Sequence, residues 1–270
     1  LPWAALIAPG VILNKDGSFQ RTMRFRGPDL DSSTPNELVA TCARVNNALR
    51  RFGSGWALHF EATRREARPY AHCDFRDPLA WLIEQERRGL HQASGVLFES
   101  DYHVTFTFLP PADKVGKLEQ FFVETDTQNE DAVGASYNYL NAFIRDTDAA
   151  QDLFSSVFQA AQFLSDDETL TFLQNCLTPQ ARQSVKTPDI PMHLDAVLGG
   201  TELVGGLEPR LGDQHIRTIT LMGFPSATEP GVLDSLNALG FSYRWTTRFL
   251  PMDKTEATKV LGRYRRQWFA

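Results

Sequence analysis

Val11-Ile-Leu-Asn-Lys-Asp-Gly-Ser-Phe-Gln-Arg-Thr-Met-Arg-Phe-Arg26 decides the fold class. From Ser18 to Arg26 the side chains alternate, with Phe19, Met23 and Phe25 on one face and Gln20, Thr22, Arg24 and Arg26 on the other. A period of two marks a strand with one buried face. Asp16-Gly17 separates this run from Val11 to Asn14 and predicts a type I′ hairpin, a turn that needs φ > 0 at both central residues.

Downstream, Thr34-Pro35-Asn36-Glu37 is a capping box with proline in the first helical turn. Leu38, Cys42, Val45, Leu49 and Phe52 then recur every three or four residues, and Gly53 ends the helix. Trp56, Leu58 and Phe60 alternate as a strand. Asp77-Pro78 caps a helix to about Gln92, and Tyr102, Val104, Phe106 and Phe108 form a strand stopped by Pro110-Pro111.

The last third repeats the pattern. Residues 215 to 222 predict a strand, about Gly231 to Leu239 a helix, and 241 to 250 a strand. A second helix follows behind Asp253-Lys-Thr-Glu256, with Ala257, Val260, Leu261, Tyr264 and Trp268 as its stripe. Gln20-Arg-Thr-Met-Arg-Phe-Arg-Gly27 also echoes Ile216-Arg-Thr-Ile-Thr-Leu-Met-Gly223. The expectation is an α+β chain of two similar sheet-plus-helix lobes, 1–111 and 201–270, the arrangement an internal duplication would give. A helical connecting segment, 112–200, joins them. Within it Leu140, Phe143, Thr147, Ala150, Phe154, Val157, Ala161 and Leu164 keep a 3,4 spacing. They read as one long helix, or as two broken near Ser155-Ser156, serving the core or seating a partner. Ser165-Asp-Asp-Glu168 opens a further helix to about Cys176.

With 270 residues and 42% hydrophobic content, the chain can bury a core as one large domain or two small ones. No run approaches the ~18 apolar residues of a membrane span, and Trp3 to Leu13 is broken by Pro9 and Gly10. Cys42, Cys73 and Cys176 are far apart and odd in number, which fits a reducing compartment better than a disulfide framework. A net charge of −6 argues against a general nucleic-acid binder.

Motifs for chemistry are sparse. Gly116-Lys117 is followed by Leu118 and lacks the upstream glycine of a phosphate-gripping P-loop. Gly199-Gly200 and Gly205-Gly206 have no basic residue between them and read as turn glycines. Asp166, Asp167 and Glu168 complement a helix N-terminus, and Asp29-Leu-Asp31 reads as a turn. His72-Cys73-Asp74 cannot all face one metal. The residues alone therefore predict no catalytic, cofactor or metal site in this chain. Two basic groups, Arg21, Arg24 and Arg26 and then Arg263, Arg265 and Arg266, are either solvated faces or contacts for phosphate or an acidic partner. Trp3, Leu6, Ile7, Val11 and Ile12 crowd more apolar surface into a dozen residues than one hairpin strand buries. They either complete the core or form a docking patch.

Several long strings resemble the CagE/TrbE/VirB family of type IV secretion ATPases. They are Leu1 to Gln20, Arg24-Phe-Arg-Gly-Pro-Asp-Leu-Asp31, Asn46-Asn-Ala-Leu-Arg50 and Gly53-Ser-Gly-Trp-Ala57. The likeness resumes at Gly205-Gly-Leu-Glu-Pro209, Gly223-Phe-Pro-Ser-Ala-Thr228 and Arg266-Gln-Trp-Phe-Ala270, and is scattered between about 112 and 200. The resemblance implies an N-terminal domain whose parent continues into a RecA-like ATPase domain. ATP and Mg²⁺ are then expected only in that domain, outside these residues. It also implies docking on inner-membrane components of a conjugative machine that builds pili and transfers substrates. The domain would be cytoplasmic, peripheral to the inner membrane, homo-oligomeric through the full-length protein and without direct nucleic-acid contact. On that reading the candidate partner-binding residues are Trp3, Leu6, Ile7, Val11, Arg24, Arg26, Arg263 and Arg266. Trp268 and Phe269 would face the ATPase domain. The rival expectation is a free-standing enzyme or small-ligand domain whose site is assembled from distant residues.

Overall fold

Alternation in β3 (Phe19–Arg26) sends Phe19, Met23 and Phe25 to the same side as Leu58 and Phe60 of β4 (Trp56–Glu66) and Val104 and Phe106 of β5 (Phe98–Phe108). The computed structural model describes residues 1–28, 32–71, 73–111, 130–178, 184–220, 223, 226–227 and 233–268, with backbone alone at 130–136 and 234. Among them, β1 (Trp3–Ala8), β2 (Val11–Asn14), β3, β5, β4 and β10 (Tyr243–Phe249) lie side by side in one antiparallel sheet. A short strand β6 (Ala160–Phe163) joins β3 beyond the end of β2, pairing Met23 to Arg26.

The apolar face is covered by α1 (Pro35–Leu49) and α3 (Glu130–Ser155). Phe143 of α3, with its ring centroid 5.7 Å from Phe19 and 5.5 Å from Trp56, ties helix to sheet. Arg21 lies among these apolar groups, its Nη1 donating to Thr147 Oγ1 at 3.0 Å and Asp148 Oδ1 at 2.6 Å and Phe163 beneath it, while its buried Nε finds no hydrogen-bond partner among the described residues. The opposite face carries a second core under α4 (Asp166–Leu177) and the single turn α5 (Leu194–Val197), where Leu170, Leu173 and Leu194 meet Trp3 and Ile12.

Helix starts follow their sequence signals. Thr34 and Glu37 close a capping box, Asp77 accepts from Ala80 N–H ahead of α2 (Pro78–Ala93), and Ser165 pairs with Glu168. Glu168 therefore closes the capping box of α4, as the spacing predicts, and Asp166 and Asp167 sit with it in the first turn. Gly10, at φ +68°, makes the β1–β2 turn, and its N–H donates to Asp166 Oδ1 at 2.7 Å.

Several expectations need correction. The β2–β3 turn closes at Asn14–Gly17, with Gly17 N–H on Asn14 O at 3.0 Å and Asn14 N–H on Ser18 O at 2.8 Å. Gly17, at φ +80°, follows the turn as a bulge, so the loop is one residue longer than a type I′ hairpin on Asp16-Gly17. The stripe from Leu140 to Leu164 breaks at Ser155, where the second of its two readings places the break, but Ala161 then lies on β6 rather than on a second helix, because β3 offers a free edge for a strand there. Cys42 of α1 is exposed although it sits in the helix's apolar spacing.

Among the described residues no second lobe matching the first appears. β10 pairs with β4, Tyr243 against Arg64 through Phe249 against Leu58, and so extends the first sheet. Of the strand expected at 215–222, residues 221–222 lie outside the described residues, and among the rest only His215 is regular, in β9 (Gln214–His215) beside β8 (Arg210–Leu211) and β7 (Leu203–Val204). Residues 216–220 find no partner strand among the described residues, although Ile216 N–H donates to Pro209 O at 2.8 Å. Of the helix expected at about 231–239, residues 231–232 lie outside the described residues and the rest holds a 3₁₀ turn over Asp234–Ala238. The final helix, α6 (Lys254–Trp268), forms as its stripe predicts, but Glu256 accepts from the Ser54 hydroxyl.

Candidate functional site

Alternation that buries phenylalanines on one face of the sheet places ionisable groups on the other. Arg24 of β3, His103 of β5 and Glu61 of β4 stand opposite one another across three neighbouring strands. Arg244 of β10, opposite Thr63, reaches diagonally to Glu61, with Nε 3.3 Å from its carboxylate. Above them α4 contributes Glu168, 3.8 Å from Arg24, and Phe172, whose ring lies 4.8 Å from His103. Arg24, His103, Glu61, Glu168 and Phe172, together with Asp101, Lys186 and others, line a cavity of about 560 Å³.

The electrostatics of this cavity follow from burial and pairing. Burial holds the His103 imidazole down to about 4, so it is neutral at pH 7, and its Nδ1 lacks a hydrogen-bond partner among the described residues. Asp167 accepts from Lys186 at 2.7 Å, from Thr187 N–H at 2.8 Å and from its hydroxyl at 2.7 Å, which keeps its carboxyl well below the usual range. Cys176, on the same helix, has its thiol pushed up to about 11 by burial, which leaves it protonated and a poor nucleophile. The cations and carboxylates are thus largely engaged with one another. Among the described residues no group of three His, Cys, Asp or Glu could hold a metal ion. No helix of the described residues is long and apolar enough to cross a membrane.

The residues singled out from sequence fall in different places. Trp3 and Val11 are buried in the two cores, and Leu6 and Ile7 pack half-buried against them. Arg24 is exposed at the cavity mouth, and Arg26 is exposed at the end of β3. Arg263 and Arg266 are exposed on α6, and Trp268 at its end is 86% exposed. Phe269 lies outside the described residues, as does His72.

Sequence reasoning missed the outward side of α2. At ~100° per residue, Leu79, Leu82, Ile83, Glu86 and Leu90 share one side, while Ala80, Glu84, Arg88 and His91 share the other. The polar side faces the protein. Glu84 is the buried residue of this helix, bonded to Tyr70 Oη at 3.0 Å and 3.7 Å from Arg88. The apolar side faces solvent, with Leu79, Leu82, Ile83 and Leu90 all more than half exposed. An apolar stripe was legible there; its orientation was not. α6 is similar: it buries no residue, and Leu261 and Tyr264 are exposed beside Trp268.

Residues 10–115 match the family described as Type IV secretion system ATPase VirB4/TrbE, N-terminal domain. The conjugal transfer protein TrbE of Rhizobium radiobacter is 31% identical over 99% of this chain and 34% of its own length. The first of two pieces of a probable conjugal transfer protein TrbE of Sinorhizobium fredii is 34% identical over 44% of this chain and 83% of its own length. The type IV secretion system protein virB4 of Brucella suis is 22% identical over 99% of this chain and 34% of its own length. The chain thus spans about a third of the length of the longer relatives. On the matched domain and these relatives together, the chain belongs to the VirB4/TrbE family of type IV secretion system ATPases and corresponds to its N-terminal domain.

Proposed function

We propose that the chain is the docking and assembly domain of a conjugative type IV secretion ATPase. It holds the enzyme on inner-membrane components of the machine, peripherally and from the cytoplasmic side. Nucleotide hydrolysis, with ATP and Mg²⁺, belongs to the two thirds of the relatives' length that this chain does not match, and it powers pilus biogenesis and substrate transfer. The observation that carries this reading is the apolar surface turned outward on α2 and α6 although the chain has two well-filled cores. Apolar patches of that kind mark surfaces that other molecules cover. The rival small-ligand reading rests on the 560 Å³ cavity, whose charges are paired with each other rather than converging on a vacant centre.

The test is nucleotide turnover and competition. Purified residues 1–270 should neither hydrolyse ATP nor bind it saturably. Overproduced in cells that carry a functioning machine of this family, they should depress DNA transfer by occupying the docking sites. Robust hydrolysis by the purified chain, or undiminished transfer at high expression, would overturn the proposal.

A further inference from the structure

The outward face of α2 is apolar except for one group. Glu86 stands among Leu79, Leu82, Ile83 and Leu90, exposed and with no ion pair among the described residues. A carboxylate in the middle of the stripe disfavours burial in lipid acyl chains and calls for an occupant that brings a cation with its apolar surface. Charge around α2 gives no bias toward an anionic bilayer either, because Arg76, Arg87 and Arg88 are balanced by Asp74, Asp77 and Glu84.

The chain itself carries a helix of the required chemistry. α6 exposes Leu261, Tyr264 and Trp268, and Arg265 borders that stripe. Its exposed cations, Lys254, Lys259, Arg263, Arg265 and Arg266, outnumber its carboxylate, Glu256. Within one chain neither helix covers the other's stripe. α2 follows the far end of β4, whereas the first turn of α6 is fastened to Ser54 just before β4 begins, through Asp253 N–H at 3.2 Å and Glu256.

We propose that α2 of one copy of this chain packs on α6 of a second copy, the apolar stripes covering one another and Glu86 meeting Arg265. The contact uses two different surfaces, so it is head-to-tail, and repetition builds a ring or an open filament rather than a closed two-fold dimer. It names the assembly contact of the domain proposed above and rests on the same outward faces of α2 and α6; a chain that stays monomeric yet still depresses transfer would overturn this contact and leave the docking role standing.

Sedimentation equilibrium of the 270-residue chain across two decades of concentration tests the contact. The wild-type chain should self-associate. Glu86→Arg and Arg265→Glu should each weaken association by about tenfold or more, since each opposes like charges at the contact. An equimolar mixture of the two variants should recover wild-type association, because the swapped α2 of one then meets the swapped α6 of the other. Both positions are exposed, and unchanged circular dichroism confirms folding of each variant. A wild-type chain that stays monomeric throughout, single variants that associate undiminished, or a mixture that recovers nothing would each overturn the proposal. So would a monomeric chain that binds phosphatidylglycerol vesicles and loses that binding on Leu82→Ser, which would assign the α2 face to lipid.

Discussion

Phe143→Ala and Leu82→Ala remove apolar side chains from helices of similar appearance in sequence, and their costs should differ severalfold. Phe143 is 1% exposed, with rings of Phe19 and Trp56 at 5.7 and 5.5 Å. Truncating a buried phenylalanine costs about 3–5 kcal/mol through lost transfer energy and the cavity left behind. The two ring contacts, at about 0.5–1.5 kcal/mol each, are part of that figure and place it near the middle of the range. Leu82 is 58% exposed, and its truncation should fall within about 0.5 kcal/mol of zero. Urea unfolding followed by circular dichroism, at concentrations where the chain is monomeric, measures both. Phe143→Ala should lower the midpoint sharply at unchanged slope, and Leu82→Ala should leave it in place. A cost for Phe143→Ala below about 1 kcal/mol, or a cost for Leu82→Ala close to that of Phe143→Ala, would refute the assignment of one helix to the core and the other to the surface.

Gly10→Ala should lower stability by about 1–3 kcal/mol in thermal unfolding, because φ is +68° and a Cβ would come within 2.6 Å of Leu164 O. His103 titrates near 4 in the folded chain against 6.5 in the unfolded one, so the unfolded state binds the extra proton. Stability should therefore fall as pH drops from about 6.5 toward 4, by up to about 1.4 kcal/mol per unit, and His103→Gln should flatten that part of the profile. Asp167 is depressed by Lys186 and Thr187, so its contribution is present at neutral pH and is lost as pH falls below the ordinary carboxylate value. Asp167→Asn should weaken the chain at pH 7 and leave it unaltered in strong acid, as read by chemical denaturation at both pH values.

Local signals carried much of the fold. Alternation at 18–26, 56–60 and 102–108 named the central strands and their buried faces, and the caps at Thr34, Asp77 and Ser165 placed three helix starts. What failed was long-range. Nothing near 241–250 states that its partner is β4, some 180 residues earlier in the chain, and so the echo between 20–27 and 216–223 read as a second lobe. The stripe through Ser155 kept its spacing into β6 because a residue facing the core satisfies either period at a single position. The candidate surface was harder still. Periodicity shows that α2 has an apolar side, and only the buried Glu84–Tyr70–Arg88 cluster on its other side reveals that this helix is mounted with its polar face inward.

The central claim, that these residues attach a secretion ATPase to its machine, is tested most directly by recovering the chain from membranes. Tagged residues 1–270 are produced in cells with and without the other components of a machine of this family, and inner membranes are solubilised and purified through the tag. The chain should be recovered with inner-membrane components when the machine is present and should leave the membrane fraction when it is absent. Recovery that is indifferent to the machine, or a chain that never associates with its components, would contradict the account.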